Sequence, residues 1–79
     1  MGKSIHTKEY ADFVVKLKTA RLDAGLTQVQ IAKKLKRSQS YVSKAESGEQ
    51  RLDIVEVQKF ADIYGKDVAY FAPSKQSSR

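Results

Sequence analysis

Seventy-nine residues, 41% of them apolar, with one proline and a net charge of +6, suffice for one small globular domain near the lower limit for a chain that folds on its own core. The absence of cysteine excludes a disulfide framework and a thiolate metal site, and no apolar run approaches the ~20 residues of a membrane span. The opening MGKSIHTKEY lacks the apolar stretch of a secretory signal, so a cytoplasmic protein is expected.

The apolar spacing predicts five helices and no strand. Residues 8–24 place Tyr10, Phe13, Val14, Leu17, Ala20 and Arg21 on one side at three- and four-residue intervals. Gly25 follows as the residue that ends this helix in a left-handed conformation. Thr27 with Gln30 three residues on forms a capping box for a second helix that runs to about Leu35 and buries Ile31, Ala32 and Leu35. Lys36 and Arg37 form a turn, and Ser38 caps a third helix that buries Val42 and Ala45 and stops at Gly48. Asp53 with Glu56 repeats the capping box and opens a fourth helix to Tyr64, with Ile54, Val57, Phe60, Ala61 and Tyr64 inward and Gly65 at its end. Asp67 is placed to cap a last short helix, Val68 to Phe71. The domain is therefore expected over 8–73, between a flexible N-terminus (1–7) and a flexible polar tail (74–79).

Charge is unevenly spread. Residues 33–51 hold Lys33, Lys34, Lys36, Arg37, Lys44 and Arg51 against Glu46 and Glu49, a local +4. Residues 52–73 hold Lys59 and Lys66 against Asp53, Glu56, Asp62 and Asp67, a local −2. A concentrated basic stretch favours an anionic partner, although a solvated basic face that only keeps a protein in solution has the same composition. The third helix narrows the choice. It buries one thin apolar stripe and leaves Gln39, Ser40, Ser43 and Lys44 outside, flanked by Tyr41 and Ser47. Glutamine bonds adenine edges in bidentate fashion, lysine reaches guanine O6 and N7, and serine bonds either. Two short capped helices, a tight turn and such a face are the layout of a helix-turn-helix that reads the DNA major groove.

The segment from about Phe13 to Phe71 resembles the Cro and phage-repressor type helix-turn-helix family, also called XRE. The resemblance rests on G-L-T-Q at 25–28, I-A-x-x-L at 31–35, S-Q-S-Y-V-S-K-A-E-S-G at 38–48, and R-L-D-I-V-E-V-Q-K-F-A-D-I-Y-G at 51–65. It covers about three quarters of the chain and implies an all-α, compact five-helix, lambda-repressor-like DNA-binding domain with the helix-turn-helix at helices 2 and 3. It implies base reading by Gln39, Ser40, Ser43 and Lys44. It implies DNA-backbone contacts at the start of the second helix, Thr27 and Gln28, where a helix N-terminus accepts phosphate. Lys33, Arg37, Tyr41, Ser47 and Arg51 are further backbone candidates, with a base edge as the alternative for Arg37. Arg21 and Glu46 match an ion pair between the first and third helices, with a phosphate contact as the competing reading of Arg21.

The chain departs from the family pattern twice. Lys36 stands where the family usually has glycine at positive φ, which costs about 1 kcal/mol for a lysine unless the turn is shaped differently. Arg37 stands where an apolar residue is common, so a thinner core is expected beneath the turn. The resemblance further implies a two-fold dimer on palindromic double-stranded DNA with half-sites ~34 Å apart. Val68 and Phe71 are expected to complete the core, and Tyr70 to make a dimer contact, with the alternative that it too belongs to the core. No cofactor, metal, membrane or small-molecule ligand is indicated, and no enzyme. His6, the single histidine, has no partners nearby in sequence, and there is no glycine-rich phosphate loop, nucleophile elbow or zinc spacing. The competing function is a protein-interaction module of the same fold, antitoxin-like, with DNA binding secondary. It calls for exposed apolar residues on the outer face of the third helix, where only Tyr41 speaks for it.

Overall fold

In the computed structural model, residues 7–72 are described; the expectations for the N-terminal residues 1–6, for His6 and for the 74–79 tail lie outside them. Five helices follow in order, α1 Lys8–Asp23, α2 Gln28–Leu35, α3 Gln39–Ser47, α4 Ile54–Tyr64 and α5 Val68–Phe71, with no strand among the described residues. The expected all-α five-helix fold is the observed one.

Local chemistry sets the helix starts. Thr27 and Asp53 each accept from the backbone three residues on, while Gln30 and Glu56 reach back to the cap N–H, so both capping boxes are complete. Ser38 accepts from the Tyr41 N–H at 3.1 Å and opens α3. Thr7, expected in the loose N-terminal stretch, instead caps α1 by accepting from Tyr10 N–H at 3.0 Å. Asp67 occupies the cap position of α5 without a side-chain hydrogen bond. This single turn is held by the Tyr70 N–H on the Asp67 carbonyl, at 2.9 Å, and its exposed carboxylate stays in water.

Each of the four longer helices buries one alanine, Ala20, Ala32, Ala45 and Ala61, so the backbones cross closely. Leu17, Ile31, Val42, Phe60 and Phe71 fill the space between, all fully buried. At about 1.5–3 kcal/mol per large apolar side chain, this cluster supplies the main favourable term. Helices α2 and α3 pack on each other, α1 lies against α3, and α4 backs α2. The arrangement clamps α3 on its inner side and leaves its outer side free. Lys16 ties the far end together by donating to the Ala72 carbonyl at 2.9 Å and pairing with Asp12 at 3.2 Å.

One inward assignment is corrected. Ile54 shares the face of Val57 by periodicity but is 66% exposed. It is the first residue of α4, and the helix begins before the core does. It borders a shallow groove instead.

The turn between α2 and α3 adopts the conformation that the resemblance implies for glycine. Lys36 has φ 60° and ψ 42°, the only positive φ among the described non-glycine residues. Its N–H bonds the Lys33 carbonyl at 3.2 Å and the next N–H, of Arg37, bonds Ala32 at 2.9 Å. This six-to-one and five-to-two pair closes α2 and leads straight into the Ser38 cap. A side chain in this region costs about 1–2 kcal/mol, partly offset by the greater unfolded freedom of glycine. Lys36→Gly should therefore stabilise the domain by about 0.5–1 kcal/mol, read as a higher urea midpoint at unchanged slope. A lower midpoint would show that Lys36 is held there by contacts worth more than the strain.

Candidate nucleic-acid interface

Helix α3 turns Gln39, Ser40, Ser43, Lys44 and Ser47 to solvent over one face, and Val42, Ala45 and Glu46 inward. All of the base-reading candidates are exposed and polar. Ser47 donates to the Lys44 carbonyl at 3.1 Å and accepts weakly from Glu49 N–H, so its hydroxyl closes the helix end.

The cations of the 33–51 stretch are also exposed: Lys33 and Lys34 on α2, Lys36 and Arg37 in the turn, Lys44 on α3, and Arg51 beyond it. Ion pairs among the described residues are Lys16–Asp12 and Arg21–Glu46, so none of these six has an acidic partner. An unpaired cation keeps its full charge for a phosphate. Two are steadied by stacking. The Arg37 guanidinium lies 3.8 Å from the centre of the Tyr41 ring and that of Arg51 lies 4.4 Å from Tyr10. Tyr10 in turn accepts from Leu52 N–H at 3.2 Å, which fastens the segment after α3 to α1.

Arg21 and Glu46 come together as expected. Arg21 Nε donates to Glu46 Oε2 at 2.7 Å, Nη2 to Oε1 at 3.2 Å, and Nη1 to the Leu26 carbonyl at 2.9 Å. Both residues are buried, at 8% and 7% exposure, so the competing phosphate reading of Arg21 does not hold. The pair fixes α3 against α1. Sequence reasoning missed its extension. Gln28 Nε2 donates to Glu46 Oε1 at 3.0 Å, and Gln28 Oε1 accepts from Gln39 Nε2 at 3.4 Å. The half-buried Gln28 side chain thus links the buried pair to the first residue of α3, while its backbone N–H stands at the start of α2. The spacing of 18 residues to Glu46 carries no local signal that could have revealed this.

Tyr41, expected among the backbone contacts, has its hydroxyl engaged within the fold. Its only hydroxyl proton goes to Glu56 Oε2 at 3.0 Å, and its ring lies nearly parallel to Phe60 at 6.3 Å. A phosphate oxygen needs a donor, and this one is already used. Tyr41 therefore joins α3 to α4, and Arg37 rests on its outer side.

Burial, then the hydrogen bond and charge of Glu56, push the Tyr41 hydroxyl up to about 12 from its ordinary 10.0, against an opposing pull from Arg37. Burial and the charge of Glu46 also raise Tyr64, whose hydroxyl is buried without a partner. Because the folded values lie above the unfolded one, this stability is complete below pH 10; the Tyr41 part is lost as the pH climbs through 10 to 12, and the Tyr64 part at higher pH still. Urea midpoints should fall over that window. In Tyr41→Phe the fall should be shallower, and an equal fall would mean that Tyr41 is not protected by the fold.

A polar third helix with exposed cations around it, held across a second helix by a tight turn, defines a DNA-binding domain of the helix-turn-helix type. A family model described as a helix-turn-helix domain matches residues 12–70. The chain is also similar to a solved structure, an XRE-family like protein from Pseudomonas syringae pv. tomato. The two are 40% identical, with 78% of this chain and 76% of that one covered and a TM-score of 0.73. No curated protein matches. The chain belongs to the XRE-type helix-turn-helix family. No helix among the described residues is long and apolar enough to cross a membrane.

Proposed function

We propose that this protein is a sequence-specific reader of double-stranded DNA that acts as a transcriptional repressor, binding a palindromic operator as a dimer through the major groove. The observation that carries this reading is the combination of a fully polar outer face on α3 with six exposed cations around it that lack acidic partners. Gln39, Ser40, Ser43 and Lys44 read base edges. The Gln28 backbone N–H, Thr27, Lys33, Arg37, Ser47 and Arg51 hold phosphates and fix the register. Repression then needs only occupancy, since a protein seated on an operator excludes other proteins from that stretch of DNA. The compartment is the one that holds the DNA, the cytoplasm.

Affinity for random and for selected duplexes, measured as salt is raised, tests the reading. Each phosphate neutralised should steepen the logarithmic fall by about 0.9, and the preference for the selected duplex should persist. Equal affinity for both at every salt concentration would reduce the interface to a basic surface.

A further inference from the structure

The exposed cation at the entrance to α3 is held from several sides. The Arg37 backbone is pinned by its own N–H on the Ala32 carbonyl at 2.9 Å and by the Ser38 cap that follows. Its guanidinium lies 3.8 Å from the centre of the Tyr41 ring. That ring is fixed in turn at its far edge, where the hydroxyl donates to Glu56 Oε2 at 3.0 Å. Glu56 is itself tethered, because its other oxygen accepts from the Asp53 N–H at 2.9 Å in the capping box of α4. Phe60, fully buried, backs the ring at 6.3 Å and nearly parallel to it. A phenol that gives its proton to a carboxylate carries more negative charge on its ring face and attracts a cation more strongly. The three groups sense one another: Glu56 pushes the Tyr41 hydroxyl up and Arg37 pulls it back.

We infer that Glu56 and the Tyr41 ring are positioning residues for DNA binding, which hold the Arg37 guanidinium ready, before DNA arrives, as a forked clamp for one backbone phosphate beside α3. The inference rests on the proposed reading of double-stranded DNA and gives one of its phosphate contacts a support in α4. By helical spacing Tyr41 stands to the side of Gln39, Ser40 and Ser43, toward α4, so Arg37 lies at the flank of α3 and not across its reading face. A helix seated in a groove meets phosphates at its flanks and base edges along its front. The Arg37 side chain donates to no described residue, so its planar fork is free to take two phosphate oxygens. Glu56 has the wrong sign for a phosphate, but it sits at the hydroxyl end of the ring, and Lys59 lines the same small recess. An arginine loose in solvent gives up rotamer freedom when it binds, whereas one already held does not. Lys33, Lys34, Lys36 and Lys44 lack such support: among the described residues none of them stacks on a ring or pairs with an acid. Arg37 is therefore a clamp set by geometry, where the lysines act as mobile point charges.

The test is a double-mutant cycle on duplex affinity between Arg37→Ala and Tyr41→Leu in the full chain, with Tyr41→Phe, Glu56→Gln and Arg37→Lys beside it, all below their melting temperatures. With Arg37 present, Tyr41→Leu should lose about two- to fivefold in affinity on selected and random duplexes alike; with Arg37 already alanine it should lose nothing further. Equal weakening in both backgrounds is the mark of packing alone and overturns the inference. Tyr41→Phe keeps the ring and should recover most of the loss. Glu56→Gln keeps the capping bond but puts no charge on the hydroxyl, and should fall between the parent and Tyr41→Leu. Arg37→Lys should keep the salt slope yet lose about threefold or more, because charge remains and the fork does not. A lysine that binds as the parent does overturns the inference. So does an Arg37→Ala variant whose loss is confined to one base pair, since Arg37 would then be reading a base edge. Without DNA, the ring current of Tyr41 should shift the Arg37 δ protons upfield in the parent and in Tyr41→Phe, and not in Tyr41→Leu. Unshifted protons in the parent overturn the inference as well. A protein that binds no duplex at all defeats the DNA-reading proposal and this one with it. One that reads DNA with parental affinity in every Arg37 variant defeats this one alone, so the two failures are told apart.

Discussion

Replacing Arg21 with alanine should cost about 3–5 kcal/mol, because it strands the buried Glu46 carboxylate without its partner. Glu46 accepts from Arg21 through both oxygens, and only the Gln28 amide would remain on it. The Leu26 carbonyl would lose its donor as well. A domain of this size has about 5–15 kcal/mol in all, so the variant should be largely unfolded at ordinary temperature or sharply shifted in urea. The contrast is the double variant Arg21→Met, Glu46→Leu. It removes both charges and refills the volume, so stability should return to near the parental value or exceed it. Its DNA binding should not recover in step. The ion pair and Gln28 hold Gln39 and the start of α3 at a set angle, and an apolar pair supplies no such directional bonds. Recovery of stability together with full sequence preference would show that packing alone positions α3. Urea unfolding followed by circular dichroism, beside binding to the selected duplex, separates the two.

The second large effect concerns the outer face of α3. Gln39→Ala and Lys44→Ala should each lose about 1–3 kcal/mol of discrimination at particular base pairs of a half-site, a factor of roughly ten to over a hundred. Both side chains are exposed, so the melting temperature should hardly move. Gln39 adds one complication, since it also donates to Gln28 at 3.4 Å. Its loss should therefore blur neighbouring positions a little, where Lys44→Ala should act at one. Lys33→Ala serves as the comparison. It should weaken all sequences alike and lower the salt slope by about one, as a phosphate contact does. Competition binding on a set of single-base operator variants reads all three. Equal weakening on every sequence for Gln39→Ala and Lys44→Ala would remove these two from the base-reading set.

The fold was legible in the sequence wherever the cause is local. Thr27 with Gln30 and Asp53 with Glu56 announce their helices because the two bonds of a capping box span three residues. The inward faces of α1 and α2 follow from spacing because both helices lie against core along most of their length. Periodicity failed at Ile54 because it gives a direction and not the point where the core ends. The Arg21–Glu46 pair was legible through the family resemblance together with the spacing that sets both residues on the inner edge of apolar stripes, whereas the left-handed turn at Lys36 was legible only through the resemblance, since the lysine itself argues against it. What stayed hidden depends on side chains that meet across the fold. The Tyr41 hydroxyl turns from solvent because Glu56, 15 residues on, offers a carboxylate in the seam with α4. Gln28 turns inward because Glu46 has an acceptor position left over from Arg21. Neither outcome alters which residues of α3 face outward, so the reading face was available from sequence while its supports were not.

The most direct measurement is selection of bound duplexes from a random pool at near-physiological salt. The account predicts a palindromic consensus whose half-sites lie about one helical turn apart, centre to centre, with the strongest base preferences at the positions relaxed by Gln39→Ala and Lys44→Ala. A pool that yields no enriched sequence, with binding that disappears as salt is raised, would contradict it.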